Sequence, residues 1–204
     1  MVKVKICGIT NLEDALAAVI AGCDALGFVF YRKSPRYIAP SRAGRIIRLL
    51  PKKVLKVGVF VDAPAARIKG IARKCGLDML QFHGRETPAF CKKFKDRRVI
   101  KAFRVKGIVD PEEVLGYDTF AYLFDTYSKS AAGGTGRAFD WNLLKGLCLL
   151  KKPIFLSGGI NSGNVRRAIR LVRPEWVDVS SSLETVPGRK DHRKVYELIK
   201  ILKS

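Results

Sequence analysis

The chain has 204 residues, 48% of them apolar, with 39 Lys and Arg against 18 Asp and Glu, for a net charge of +21. That length fits one domain with a large core, and no apolar run reaches the ~18 residues needed to span a bilayer. The N-terminus enters a β-rich segment directly, without the apolar stretch of a secretion signal.

In chain order, strands are expected at residues 2–7, 25–30, 54–61, 79–83, 99–104, 120–125, 154–157 and 177–179. Most are near-continuous apolar runs, the mark of strands covered on both faces. Amphipathic segments of helical period lie between and after them, at 12–21, 41–50, 64–75, 86–95, 110–116, 140–147, 161–172 and 190–203. Thr10 and Asn11, Asp62-Ala-Pro64 and Asp140 act as helix-start signals before three of them. Eight β units alternating with eight α units, with no linker or repeat boundary, predict a single-domain (β/α)8 TIM barrel spanning residues 1–204. An open doubly wound sheet is the alternative, but it is usually smaller and has a Gly-rich first turn. Here only Gly8 follows the first strand.

A barrel gathers functional groups at the C-terminal ends of its strands, and the unusual residues of this chain fall there. Cys7 ends strand one, either as a small buried apolar residue or as a catalytic thiol. Arg36 follows Pro35 in the loop after strand two, where a guanidinium can grip a carboxylate through two hydrogen bonds; Arg32 and Lys33 nearby are read as solvated charges. His83 ends strand four, as a ligand contact or as a partner of loop carbonyls. Asp125 ends strand six, as a general acid or as the cap of the following turn, ahead of the Gly-rich stretch 131–136. Gly158 and Gly159 follow strand seven, and Ser181 and Ser182 follow strand eight. Two adjacent loops rich in backbone and hydroxyl donors, with a short helix expected after Ser182, make a phosphate site.

The positive charge has two explanations, nucleic acid or a small polyanionic substrate. The arginines are dispersed through helices (42, 45, 48 and 166, 167, 170, 173), with no basic tail and no nucleic-acid module. Most of the charge is therefore read as a solvated outer surface that favours encounter with anions. The five cysteines (7, 23, 75, 91 and 148) form an odd set without a CxxC pair. This argues against disulfides or zinc and for a reducing cytoplasmic setting. All but Cys7 lie in or beside helical segments and are read as structural.

Together these residues resemble the phosphoribosylanthranilate isomerase family of tryptophan biosynthesis. The resemblance is carried by Lys5-Ile-Cys-Gly-Ile-Thr10, Gly27-Phe-Val-Phe30 with Ser34-Pro-Arg-Tyr37, Gly58-Val-Phe-Val61 and Gln81-Phe-His-Gly84. It continues through Phe124-Asp-Thr126, Gly133-Gly-Thr-Gly136, Phe139-Asp-Trp141, Leu156-Ser-Gly-Gly-Ile160, Asp178-Val-Ser-Ser181 and Pro187-Gly-Arg-Lys-Asp191. It implies a (β/α)8 barrel and an Amadori rearrangement of N-(5-phosphoribosyl)anthranilate, without metal or organic cofactor. It also implies Cys7 as general base, Asp125 as general acid, and Arg36 on the anthranilate carboxylate. His83 and Asp178 would touch the substrate, and Gly158, Gly159, Ser181 and Ser182 would hold its phosphate.

The expected partner is that small phosphorylated anion, with no specific nucleic acid and no membrane, and the active form is a monomer or homodimer. Ser182 stands where the family usually has glycine, so a left-handed backbone there would be strained. Phe82 and Phe124 replace more usual leucines. The competing readings are the related sugar-phosphate isomerase of histidine synthesis, expected to carry aspartate in place of Cys7, a bifunctional enzyme, and a basic nucleic-acid-binding barrel with a vestigial site.

Overall fold

The computed structural model describes residues 1–126, 140–144 and 150–203. Within them β1 (Lys3–Cys7), β2 (Ala25–Val29), β3 (Leu55–Phe60), β4 (Met79–Phe82), β5 (Arg98–Val105), β6 (Ala121–Thr126), β7 (Ile154–Leu156) and β8 (Trp176–Val179) run parallel. They close into a barrel in sequence order, the (β/α)8 architecture expected. Closure pairs β8 with β1 and sets Lys5 beside Asp178. The helices are α1 (Leu12–Ala21), α2 (Pro40–Arg48), α3 (Ala65–Cys75), α4 (Pro88–Cys91), α5 (Pro111–Leu115), α6 (Val165–Val172) and α7 (His192–Lys203).

The two-residue period of a strand divides the apolar residues between two cores. Val4, Ile6, Leu26, Phe28, Leu80, Phe82, Tyr122 and Phe124 join the large cluster that includes the helix faces. Ala25, Val57, Met79, Ile100, Leu123, Phe155 and Trp176, of the other parity, form the packed barrel interior. A stacked Phe155–Trp176 pair, with centroids 4.8 Å apart, belongs to that packing. Cys7, Val29 and Val59 form a third, small cluster. Phe82 and Phe124 therefore sit on the helix side, Phe82 edge-on to Phe90 and Phe94 and Phe124 stacked on Phe103.

Local signals explain most boundaries. Asn11 caps α1 by accepting from the Asp14 amide, and Gly22 ends it in the left-handed conformation. α6 starts at Val165 rather than 161 because asparagines capture the backbone first. The Asn161 side chain accepts from the Gly163 amide, and that of Asn164 from the Asn161 amide. Glu86 is likewise withdrawn from α4, since its carboxylate accepts from the Asp62 and Gly84 amides and from Lys101. α4 then begins after the Thr87 cap and gives way to a 3-10 turn at Lys92–Phe94.

The segment expected as a helix over 140–147 has a 3-10 turn at Trp141–Leu144, and its remainder lies outside the described residues. After β8 the structure places a 3-10 turn at Ser181–Leu183, starting two residues before the expected helix. A hairpin of β9 (Glu184–Val186) and β10 (Arg189–Lys190) follows. The reading of the sequence had no strands there.

Candidate active site

At the C-terminal ends of the strands lies a pocket of about 530 Å³. Its lining includes Cys7, Arg36, His83, Asp125, Gly158, Gly159, Asp178, Ser181 and Ser182, every site residue expected from sequence. Nine residues from β1, β6 and β8 and from the segments after β2, β4, β7 and β8 are thus brought together. The Gly-rich stretch 131–136 and Cys148 lie outside the described residues. Among the described residues no three His, Cys, Asp or Glu side chains gather as a metal site.

Cys7 projects from the tip of β1 and is nearly enclosed. Burial pushes its thiol above the ordinary range and nearby Asp178 adds to that, while Lys5 and Lys190 pull it back. Cys23 and Cys91, buried in the core, are pushed by burial to about 12 and about 11, as expected of structural thiols. Gly8, just past Cys7, has φ +83°, and a Cβ there would lie 2.7 Å from Arg36 Cδ. The glycine thus provides both the turn and the passage for the arginine.

Arg36 departs from expectation in one respect. Its Nε and Nη2 already donate to Glu184, at 2.9 and 2.6 Å, so that edge of the fork is taken by the protein itself. Glu184 also accepts from Lys190 at 2.8 Å. Burial alone would push the Glu184 carboxyl up, but Arg36 and Lys190 outweigh it and hold it below the ordinary range. The hairpin that delivers Glu184 and Lys190 is fastened to α1, where Asp14 accepts from the Lys190 amide and contacts His192 at 2.9 Å.

Across the pocket, the carboxylate of Asp125 sits 3.3 Å from His83 Nε2. His83 Nδ1 contacts Gln81 Nε2 at 3.1 Å. The Gln81 amide donates there, so the ring proton belongs on Nε2, toward Asp125. The His83 carbonyl accepts from Arg104. Gly158 has φ +88°, and a Cβ there would collide with Thr126 and come within 3.0 Å of Asp125 Oδ1. Only glycine lets the loop after β7 lie this close to the Asp125 carboxylate. Ser182, expected to be strained if left-handed, is not among the positive-φ residues. Its hydroxyl donates to the Ile160 carbonyl and ties the β7 and β8 loops together.

A family model for N-(5'-phosphoribosyl)anthranilate isomerase matches residues 4–201 of this chain. The chain belongs to that family. Members of the phosphoribosylanthranilate isomerase family are isomerases of tryptophan biosynthesis. One relative, from Pelobacter propionicus, is 52% identical over 203 residues, covering 100% of this chain and 96% of its own. The crystal structure of the isomerase from Thermotoga maritima superposes with a TM-score of 0.94 at 47% identity, over 100% of this chain and 99% of that one. A family structure in complex with reduced 1-(o-carboxyphenylamino)-1-deoxyribulose 5-phosphate gives 0.90 at 46% identity, with the same coverage.

Several residues of this family member escaped the sequence reading. Lys5, Glu184 and Lys190 are charged yet buried, and Gln81 and Arg104 flank His83. Lys5 had one signal: it shares the parity of Cys7 on a strand both of whose faces are covered. Glu184 and Lys190 had only the Pro187-Gly188 turn between them, with Gly188 at φ +84°.

Proposed function

We propose that this chain converts N-(5-phosphoribosyl)anthranilate to 1-(2-carboxyphenylamino)-1-deoxyribulose 5-phosphate by an Amadori rearrangement in tryptophan biosynthesis. The observation that carries the reading is one pocket lined by a thiol on β1, a carboxyl on β6 and two donor-rich loops. Asp125 gives a proton to the ring oxygen, the ring C–O bond breaks, and the anilino nitrogen becomes an iminium. The iminium makes the neighbouring sugar carbon acidic, and the Cys7 thiolate removes its proton. The resulting enol-enamine returns to the ketone, so product and substrate have the same atoms.

Cys7 and Asp125 stand on strands well separated around the barrel, which lets them address the sugar from different sides. The part of the Arg36 guanidinium not turned to Glu184 receives the anthranilate carboxylate, with Glu184 fixing its plane. Gly158 and Gly159 offer backbone amides to the phosphate with Ser181 and Ser182 beside them, since neither glycine has a side chain to block a close approach. His83 and Asp178 contact the sugar. One barrel carries the whole site, and the basic surface favours arrival of a dianionic substrate.

The test is to add the protein to freshly made phosphoribosylanthranilate and follow the loss of its fluorescence. Accelerated loss is expected. No acceleration by folded protein would overturn the reading.

A further inference from the structure

Lys5 is wholly enclosed in the barrel, 0% exposed, where an aliphatic side chain would fill the space without burying charge. Its ammonium donates to Asp178 Oδ1 at 2.8 Å across the β1–β8 seam. Lys5 and Cys7 are two residues apart on one strand, so they project to the same side. On β2, directly beside Cys7, is Gly27. A Cβ at Gly27 would lie 2.7 Å from Cys7 Sγ and 3.1 Å from Lys5 Nζ. Sulfur and ammonium therefore border the same gap, and the missing side chain keeps that gap open.

We propose that Lys5 is the positioning residue of the catalytic base: its ammonium, anchored by Asp178, faces the Cys7 sulfur across the gap over Gly27 and holds the thiolate there. This rests on the reading of Cys7 as the base. The proton transfer stays between substrate carbon and sulfur; Lys5 keeps its protons and supplies only charge.

Cys7 feels charges from three strands: Lys5 on β1, Asp178 on β8 and Lys190 on β10. Arg36 lies beside the next residue, and Asp125 and His83 border the same pocket. For Lys5, burial alone would pull the ammonium down, but Asp178 and Cys7 outweigh it and raise it, so it stays charged at neutral pH. The two members of the pair thus act on the thiol with opposite sign. Lys5 favours the thiolate, and Asp178 both anchors Lys5 and disfavours the thiolate.

The test is the pH dependence of Cys7 alkylation by iodoacetamide in the full-length protein, read by peptide mass analysis, which follows the thiolate without turnover. Lys5→Met should move the alkylation midpoint up, and Asp178→Asn should move it down. In Lys5→Met, kcat at neutral pH should fall about tenfold, the equivalent of one pK unit. It should recover toward high pH, with KM changed far less. Gly27→Ala, which keeps both charges but wedges a methyl between them, should also raise the midpoint and serves if Lys5→Met does not fold. Unmoved midpoints, or shifts of the same sign in Lys5→Met and Asp178→Asn, overturn the proposal. Normal turnover in Cys7→Ala overturns the base assignment and the proposal with it, whereas an inactive Cys7→Ala with an unmoved Lys5→Met midpoint overturns the proposal alone.

Discussion

Where β8, β1 and β2 meet, the pocket wall is a set of compensated charges; between β4 and β6 it is a looser polar set, with a long His83–Asp125 contact and Gln81 Oε1 without a partner among the described residues. On the first side Lys5 pairs with Asp178, and Glu184 is shared by Arg36 and Lys190. On the second, Gln81 Oε1 has no hydrogen-bond partner among the described residues, and His83 Nε2 meets the Asp125 carboxylate only at 3.3 Å, short of a formed hydrogen bond. The difference follows from what each kind of group tolerates. A charge buried without a counter-charge costs several kcal/mol, so a charged wall must be complete before substrate arrives. A neutral buried group left unpaired costs roughly 1–3 kcal/mol, which a substrate hydroxyl can return. On the proposed function, the wall around Cys7 is thus set in advance, and the wall around Asp125 is completed by the ligand.

The sharpest break of this comparison is kinetic. Cys7→Ala and Asp125→Ala should each lose roughly 10²–10⁴-fold in kcat, the usual contribution of a positioned acid or base, while circular dichroism shows the barrel intact. The two should differ in titration: only the Cys7 variant should abolish the thiol-dependent limb of the pH profile. Near-normal turnover in either would remove that residue from its role.

Next in size is stability. Glu184→Gln leaves Arg36 and Lys190 facing a neutral amide and should cost about 3 kcal/mol at neutral pH, measured by urea unfolding. The Glu184 carboxyl is held below its ordinary value of 4.5, so its contribution is fully present above that pH and is lost as pH falls through the lower, folded value. Parent and variant should therefore converge in stability on acidification. Gln81→Leu, on the opposite wall, should cost only about 1 kcal/mol, the one hydrogen bond to His83, yet weaken substrate binding. Equal losses in the two variants would mean the walls do not differ as described.

The contrast also governs what the sequence disclosed. Strands such as 25–29 and 121–126 were legible because runs like Ala25–Val29 are buried throughout, and a run of that kind has few alternatives. The groups of the opposite wall were legible too, since Asp125 and His83 break apolar strands at their tips. Lys5 was hidden in an alternation, Val-Lys-Val-Lys, that reads as solvent-facing until closure of the barrel makes its alternate face an interior. The partner of Arg36 lies 148 residues away, in a hairpin too short and polar to show a period. Non-local charge pairs leave no local pattern, whereas burial does. The arginines of α2 and α6 (42, 45, 48, 166, 167 and 170), with Arg173 at the end of α6, are exposed as expected of a solvated surface.

The smallest expected effect concerns the seam between the two walls. Ser182 stands where the resemblance led us to expect glycine, and the two residues need not be equivalent. A left-handed backbone would make serine a liability and glycine an improvement, but Ser182 is not left-handed. Its hydroxyl instead donates to the Ile160 carbonyl, joining the loop after β7 to the loop after β8. Ser182→Gly then removes one hydrogen bond, about 0.5–1.5 kcal/mol, and adds about 0.5–1 kcal/mol of backbone entropy to be lost on folding. A thermal melt should register a small fall in Tm. KM should stay within about threefold, because 0.6 kcal/mol is that factor at 25 °C and the backbone amides at Gly158 and Gly159 remain. A rise in Tm, or a KM that improves tenfold, would mean that the serine is strained after all. In that case the phosphate donors proposed on the β8 side would need to be reassigned.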